Sequence, residues 1–232
     1  MSPLFEILDQ QDTPLGELCL RRRELLSRPG MIITEVTLDH GFLMSSYHTE
    51  SERRLAEFAL ALHPGQGLSV LVGGLGLGYT AHAALASERV ARVEVVELLD
   101  PVIAWLEKGW LPIGESLKAD ERLEVIQGDA YARLLGPAGA AFDVILIDVD
   151  HAPDEPLDEG SGAFYTEGGL RAVAEHLNPG GVLAVWSTDP NPAFEATLAS
   201  VFEQVEVEVV RWWNDLIDVD KEDTLFAGRR SA

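Results

Sequence analysis

The stretch Leu68-Ser69-Val70-Leu71-Val72-Gly73-Gly74-Leu75-Gly76-Leu77-Gly78-Tyr79-Thr80 decides how this chain folds. An apolar run of β-type residues ends in Gly73, Gly74, Gly76 and Gly78, and a helix-like segment follows from Ala81 to Glu88. That order predicts a buried strand, a tight turn, and a helix N-terminus whose free N–H groups face a ligand. Glycine suits the turn because a ligand can approach the backbone closely and positive φ costs little. The stretch therefore reads as a nucleotide- or nucleoside-binding turn. A Walker loop is excluded, since no Gly-Lys-Ser/Thr follows the glycines. Gly76-x-Gly78-x-x-Ala81 also satisfies the dinucleotide pattern, and Glu97 ends the next apolar run, Val93 to Val96, about 20 residues on. An acid there suits a ribose diol, which both NAD and S-adenosylmethionine carry, so the glycines alone do not choose between them.

Downstream, the pattern alternates. Asp100-Pro101 reads as N-cap and first residue of a helix carrying Val102, Trp105 and Leu106. Leu123 to Ile126 reads as a strand ending in Gly128-Asp129-Ala130. Phe142 to Ile147 is almost continuously apolar, as in strands covered on both faces, and ends in Asp148. A helix over 166–177 is closed by Asn178-Pro179-Gly180, and a strand from Gly181 to Trp186 follows. Asn191-Pro192 starts a helix with Phe194, Leu198, Val201 and Phe202, and strands near 205–213 and 223–228 end the chain. The alternation predicts an α/β fold with one doubly wound, mostly parallel sheet of seven strands.

Upstream, Thr49-x-x-Glu52 has the form of a capping box, with Leu55, Phe58, Ala59 and Leu62 at helical spacing and His63-Pro64-Gly65 as the stop. Residues 1–47 read as a small antiparallel β appendage, with strands near Leu4–Leu8, Glu17–Arg21 and Ile32–Leu38. The main nucleoside-binding domain would then span 48–232. The run Arg21-Arg22-Arg23 reads as a solvated face or a contact to the acidic body.

Composition narrows the function classes. The 232 residues carry 39 acidic against 17 basic side chains, a formal charge of −22. Such a surface repels phosphate backbones and anionic membranes, which argues against nucleic-acid and membrane partners, and suits a small cationic amine substrate. The lone Cys19 precludes an internal disulfide and fits a reducing cytoplasm. The N-terminus lacks the basic and apolar regions of a signal peptide, so a cytoplasmic location is expected. The histidines show no metal-ligand spacing, and no metal is expected.

Taken together, Gly-Gly-x-Gly-x-Gly, Val96-Glu97-Leu98 with Pro101-Val102-Ile103, Gly128-Asp129-Ala130, Ile147-Asp148 and Leu177-Asn-Pro-Gly-Gly-Val resemble class I S-adenosylmethionine-dependent methyltransferase folds. The chain looks most like the spermidine/spermine synthase branch, and Leu38-Asp39 with the N-terminal strands extends the resemblance over most of its length. The resemblance implies that Glu97 holds the ribose hydroxyls and that Asp129, beside Ala130, meets the adenine amino group. Asp129 stands equally where a helix N-cap would. It implies that Gly73, Gly74, Gly76 and Gly78 pass beside the nucleoside and its sulfonium side chain, and that Asp148 is the catalytic acid side chain. The co-substrate would be S-adenosylmethionine or its decarboxylated form, and a homodimer is expected on the same ground.

The chemistry suits one carboxylate at 148. A sulfonium leaves as a neutral thioether and needs no acid, whereas the attacking amine must lose a proton and be held in line. Five acids follow in the loop (Asp150, Asp154, Glu155, Asp158 and Glu159), with His151 among them. Asp150 and His151 are candidate substrate contacts, and the loop reads either as a lid for a polycation or as a solvated acidic turn. Three departures from the family pattern leave the donor open. Gly76 stands where polyamine synthases usually carry an aspartate that clamps the aminopropyl ammonium. Leu43-Met44 replaces a glutamine, and Asp148-Val149-Asp150-His151-Ala152 replaces Asp-Ser-Ser-Asp-Pro. Aminopropyl transfer to an amine is the leading expectation. Methyl transfer to a small molecule and a non-catalytic nucleoside-binding role are the alternatives. An NAD dehydrogenase would need a proton donor that the sequence does not offer.

Overall fold

The computed structural model describes residues 4–149 and 159–232. Four N-terminal strands, β1 (Phe5–Thr13), β2 (Gly16–Glu24), β3 (Ile32–Leu38) and β4 (Gly41–Ser45), pair in order and antiparallel. The sequence pattern showed three of them. The fourth is a short strand entered through Asp39 and His40, which both take positive φ (46° and 64°) in the two-residue turn that links it to β3. The middle of β3 is covered on both faces. Val36 packs into the core, while Glu35 lies 3% exposed between Arg21 and Arg23. Burial would raise the Glu35 carboxyl, but the two guanidinium contacts outweigh it and hold the group below its usual range. Arg22 donates to the Trp110 carbonyl at 3.0 Å. The basic run thus clips the sheet internally and to the body.

The main sheet follows the expected alternation. After α1 (Glu50–Leu62) come β5 (Leu68–Gly73), α2 (Tyr79–Leu85), β6 (Val90–Glu97), α3 (Asp100–Glu107), α4 (Gly114–Ala119), β7 (Leu123–Gln127), α5 (Ala130–Leu135) and β8 (Phe142–Ile147). Then come α6 (Glu159–Phe164), α7 (Glu167–Glu175), β9 (Leu177–Ser187), α8 (Pro192–Ala199), β10 (Gln204–Asn214) and β11 (Val219–Arg229). The strand order is β10-β11-β9-β8-β5-β6-β7, with β7 to β9 mutually parallel through β5 and β6, and β11 antiparallel to both neighbours. This is the doubly wound, mostly parallel seven-stranded sheet expected from the sequence. One face packs its Val and Ala side chains under α1 and α2 together with Leu18, Leu20 and Val36 of the small sheet. The other packs Phe142, Ile145, Leu183 and Phe226 under α5, α7 and α8. Trp105 Nε1, on α3, donates to Asp9 Oδ2 of β1 at 2.7 Å, a further tie between the small sheet and the main fold.

Local details differ from the sequence reading in informative ways. The capping box does not form. Thr49 is the N-cap, yet its hydroxyl accepts from Arg53 Nε, and Glu50 rather than Glu52 takes the Thr49 N–H, at 2.9 Å. Leu99, not Asp100, is the N-cap of α3. The Leu99 N–H is taken by Glu97 from the end of β6, at 2.8 Å. Asn178-Pro179-Gly180 stops α7 but belongs to β9, which starts at Leu177 with an irregular register against β8. The short helices α4, α5 and α6 span six residues each, too few for a periodic pattern to show.

Candidate active site

The site lies where an open α/β sheet binds its ligands, at the carboxyl ends of the central strands. Strand β5 ends in the glycines, which carry positive φ at Gly74 (93°), Gly76 (51°) and Gly78 (91°). Gly78 is the N-cap of α2. At Gly74 a Cβ would stand 2.3 Å from the Asp148 carbonyl oxygen, so only glycine lets β5 and β8 close at this point. At Gly73 a Cβ would press on Ala130 at 3.0 Å, so the glycine turn and the start of α5 touch.

Glu97 and Asp148 end the two strands that flank β5. Glu97 is 7% exposed, and Leu75 N–H donates to its Oε2 while Leu99 N–H donates to Oε1, both at 2.8 Å. Burial raises its carboxyl, opposed by the backbone N–H groups of Leu99, Leu75, Gly76 and Leu98. A carboxylate has about four acceptor positions, so these bonds orient Glu97 and leave capacity for a diol. Asp129 is the N-cap of α5, its Oδ1 accepting from Ala132 N–H at 3.0 Å, and it also lines the cavity. The helix-cap role is therefore real and the cavity-facing position coexists with it.

Asp148 has a different environment. Thr80, the second residue of α2, donates its hydroxyl to Oδ2. Burial pushes the Asp148 carboxyl up to about 6, the Thr80 hydrogen bond opposes that, and the charge of Asp223 adds to it. Thr80 was missed at the sequence level although it lies in the decisive stretch, since a threonine in a first helical turn carries no signal of its own. Asp223, within the last strand, β11, was missed likewise. Asp150 and His151 lie outside the described residues.

The cavity runs from Asp129, Ala130 and Tyr131 past Glu97 and Gly74 to Asp148, and its far wall is the small sheet, with Leu38, Leu43 and Met44. Gly76 and Met44 face each other across it. A Cβ at Gly76 would stand 3.1 Å from the Met44 sulfur. Two of the departures from the family pattern are thus spatially one, with the thioether occupying the direction in which a side chain at 76 would project. The lining holds three carboxylates (Glu97, Asp129 and Asp148) and no lysine or arginine among the described residues. No group of three or more metal-type side chains occurs among the described residues, and no helix there is long and apolar enough to cross a membrane.

No family model matches the chain. The polyamine aminopropyltransferase of Oceanobacillus iheyensis is 35% identical over 125 residues, 53% of this chain and 23% of that protein. The polyamine aminopropyltransferase of Aeropyrum pernix is 27% identical over 185 residues, 74% of this chain and 57% of that one. The chain thus spans about a quarter of the first relative and a little over half of the second. A spermidine synthase solved in complex with the transition-state analogue AdoDATO superposes with a TM-score of 0.76 at 18% identity, over 97% of this chain and 74% of that one. In sequence pattern and in fold, the chain is spermidine synthase-like.

Proposed function

We propose that the protein transfers an aminopropyl group from decarboxylated S-adenosylmethionine to a small amine. The observation that carries this reading is the charge of the cavity. Among the described residues, three carboxylates line it without a lysine or arginine, which favours a doubly cationic donor and repels the free carboxylate of intact S-adenosylmethionine. The similarity to two aminopropyltransferases supports the same reading.

Each residue has a role in this reaction. Glu97, pinned by Leu75 and Leu99, accepts from the ribose hydroxyls, and Asp129 meets the adenine amino group. The glycine turn lets the nucleoside lie against the backbone. The amine nitrogen attacks the aminopropyl carbon bonded to sulfur. The C–S bond breaks with its electron pair going to sulfur, and a neutral methylthioadenosine leaves. The extra proton on nitrogen passes to Asp148, whose raised basicity suits it to the task and whose orientation Thr80 fixes. Asp150 and His151 belong to this reading as further contacts for the cationic acceptor, given the acids around them in sequence.

The test is a transfer assay with both donors and a panel of amines, with products identified by mass. Aminopropylated amine and methylthioadenosine from the decarboxylated donor are expected. A methylated amine from intact S-adenosylmethionine, with no reaction of the decarboxylated form, would overturn the reading in favour of methyl transfer.

A further inference from the structure

Asp148 is gripped on the side away from the cavity. Its N–H donates to the Gly73 carbonyl at 2.9 Å, and its own carbonyl oxygen fills the place of a Cβ at Gly74. Its side chain lines the cavity, and Oδ2 accepts the Thr80 hydroxyl. Thr80 is 3% exposed, in the first turn of α2, where Gly78 with its φ of 91° leads the chain into the helix. Oδ2 is thus committed to the protein, which leaves Oδ1 for a reacting nitrogen.

Thr80 has a second acceptor within reach. The Glu52 carbonyl of α1 lies 3.2 Å from Thr80 Oγ1. A threonine hydroxyl carries one hydrogen and two lone pairs, so it donates fully to Asp148 or to Glu52, not to both. The choice follows the charge of Asp148. A carboxylate takes the hydrogen, because a bond to an ion is charge-assisted. A carboxyl protonated on Oδ1 accepts more weakly at Oδ2, and one protonated on Oδ2 is itself a donor to Thr80 Oγ1. In either neutral form the Glu52 carbonyl can take the Thr80 hydrogen. Thr80 is therefore satisfied in both states, and its bond to Asp148 is strong only in the charged one.

A bond that favours the charged form lowers a carboxyl, here against the burial that pushes Asp148 up to about 6. The charges on the surrounding elements give no such help. Asp223 on β11 adds to the rise, and Glu97 and Asp129 in the cavity have the same sign. On α1, Arg53 lies over the Tyr79 ring at 4.9 Å, Arg54 is held by Glu208 at 2.9 Å, and Glu52 accepts from Ser51 at 3.2 Å.

We propose that Thr80 is a positioning residue that sets the basicity of Asp148, its hydrogen passing to the Glu52 carbonyl as the carboxyl gains a proton and returning as it loses one. The proposal rests on the reading of Asp148 as the base, and adds to it the group that returns the carboxyl to its ionised form between turnovers.

The experiment titrates the side-chain carboxyl carbons by NMR in wild type, Thr80→Val and Thr80→Ser, with the Asp148 signal assigned by its absence in Asp148→Asn. Wild type is expected to titrate near 6. Thr80→Val, which keeps the shape and removes the hydroxyl, is expected to titrate about one pH unit higher or more. Thr80→Ser, which restores the hydroxyl, is expected to return to within about 0.3 unit of wild type. The acid limb of kcat/KM is expected to move with these midpoints. Should the valine variant not fold, Thr80→Ala removes the same hydroxyl and is read in the same way. A midpoint unmoved in the variant lacking the hydroxyl, or moved as far in Thr80→Ser, would overturn the proposal. A wild type that titrates as expected but transfers no group would overturn the reading of Asp148 as the base, and not its coupling to Thr80.

Discussion

Two carboxylates, each closing a strand beside β5, end up in different hydrogen-bonding surroundings. Glu97 at the end of β6 is clasped through both oxygens by backbone N–H groups of two different loops. Among the described residues, Asp148 at the end of β8 receives the Thr80 hydroxyl and feels the charge of Asp223. Burial raises both. On the proposed reading, the clasp makes Glu97 a fixed acceptor for the ribose, whereas Asp148, its carboxyl pushed up to about 6, serves as the base. On that reading, the donors that surround each strand end, more than the strand itself, would separate the binding acid from the reacting one.

The widest gap between the two should appear in turnover. Asp148→Asn keeps shape and removes basicity, so turnover is expected to fall about 10²-fold or more with nucleoside affinity little changed, measured by steady-state transfer and calorimetry. Glu97→Ala should do the reverse. Loss of charge-assisted contacts to the ribose is expected to weaken methylthioadenosine binding by about 2 kcal/mol, while turnover at saturating donor changes less. If both substitutions acted mainly on affinity, the distinction between the two acids would fail.

Stability should report the burial of Asp148 independently of turnover. The folded Asp148 holds its proton up to about pH 6, whereas an unfolded aspartate releases it near 3.8. The folded state therefore binds more protons between those values, and stability falls as pH rises through that window. Asp148→Asn removes the penalty, so its melting temperature at pH 8 is expected to exceed that of wild type by a few degrees, at about 2–4 °C per kcal/mol for a chain of this size. At pH 3.5 the difference should vanish. Calorimetric scans at both pH values check it.

The smallest effect concerns the cap. Asp129→Asn preserves an acceptor for the Ala132 N–H and so keeps α5, whereas Asp129→Ala loses about 1 kcal/mol of helix stability. A drop in nucleoside affinity in the asparagine variant, with melting unchanged, isolates the adenine contact. No drop would leave Asp129 a cap alone.

How much of this was legible in the sequence follows from the same physics. The glycine turn and the strand-end acids Glu97, Asp129 and Asp148 are local patterns, since an apolar run announces its own end. The seven-stranded sheet follows from alternation. What the sequence hid depends on contacts between distant segments. Thr80 meets Asp148 across 68 residues. Met44 meets Gly76 only because β4 folds over the glycine turn. Asp223 is brought to the site by the antiparallel return of β11 beside β9, a register that no local pattern encodes. The failed capping box at Thr49 has a local cause instead, because Arg53 and Glu50 compete for the same groups.

The account turns on Asp148 as the proton acceptor, and the pH dependence of kcat/KM tests it most directly. With the decarboxylated donor saturating and a diamine varied, wild type is predicted to lose activity as pH falls through about 6, with a slope of one proton. Asp148→Asn is predicted to lack that limb and to stay about 10²-fold below wild type at pH 8. An Asp148→Asn variant as active as wild type, with the acid limb intact, would contradict the account.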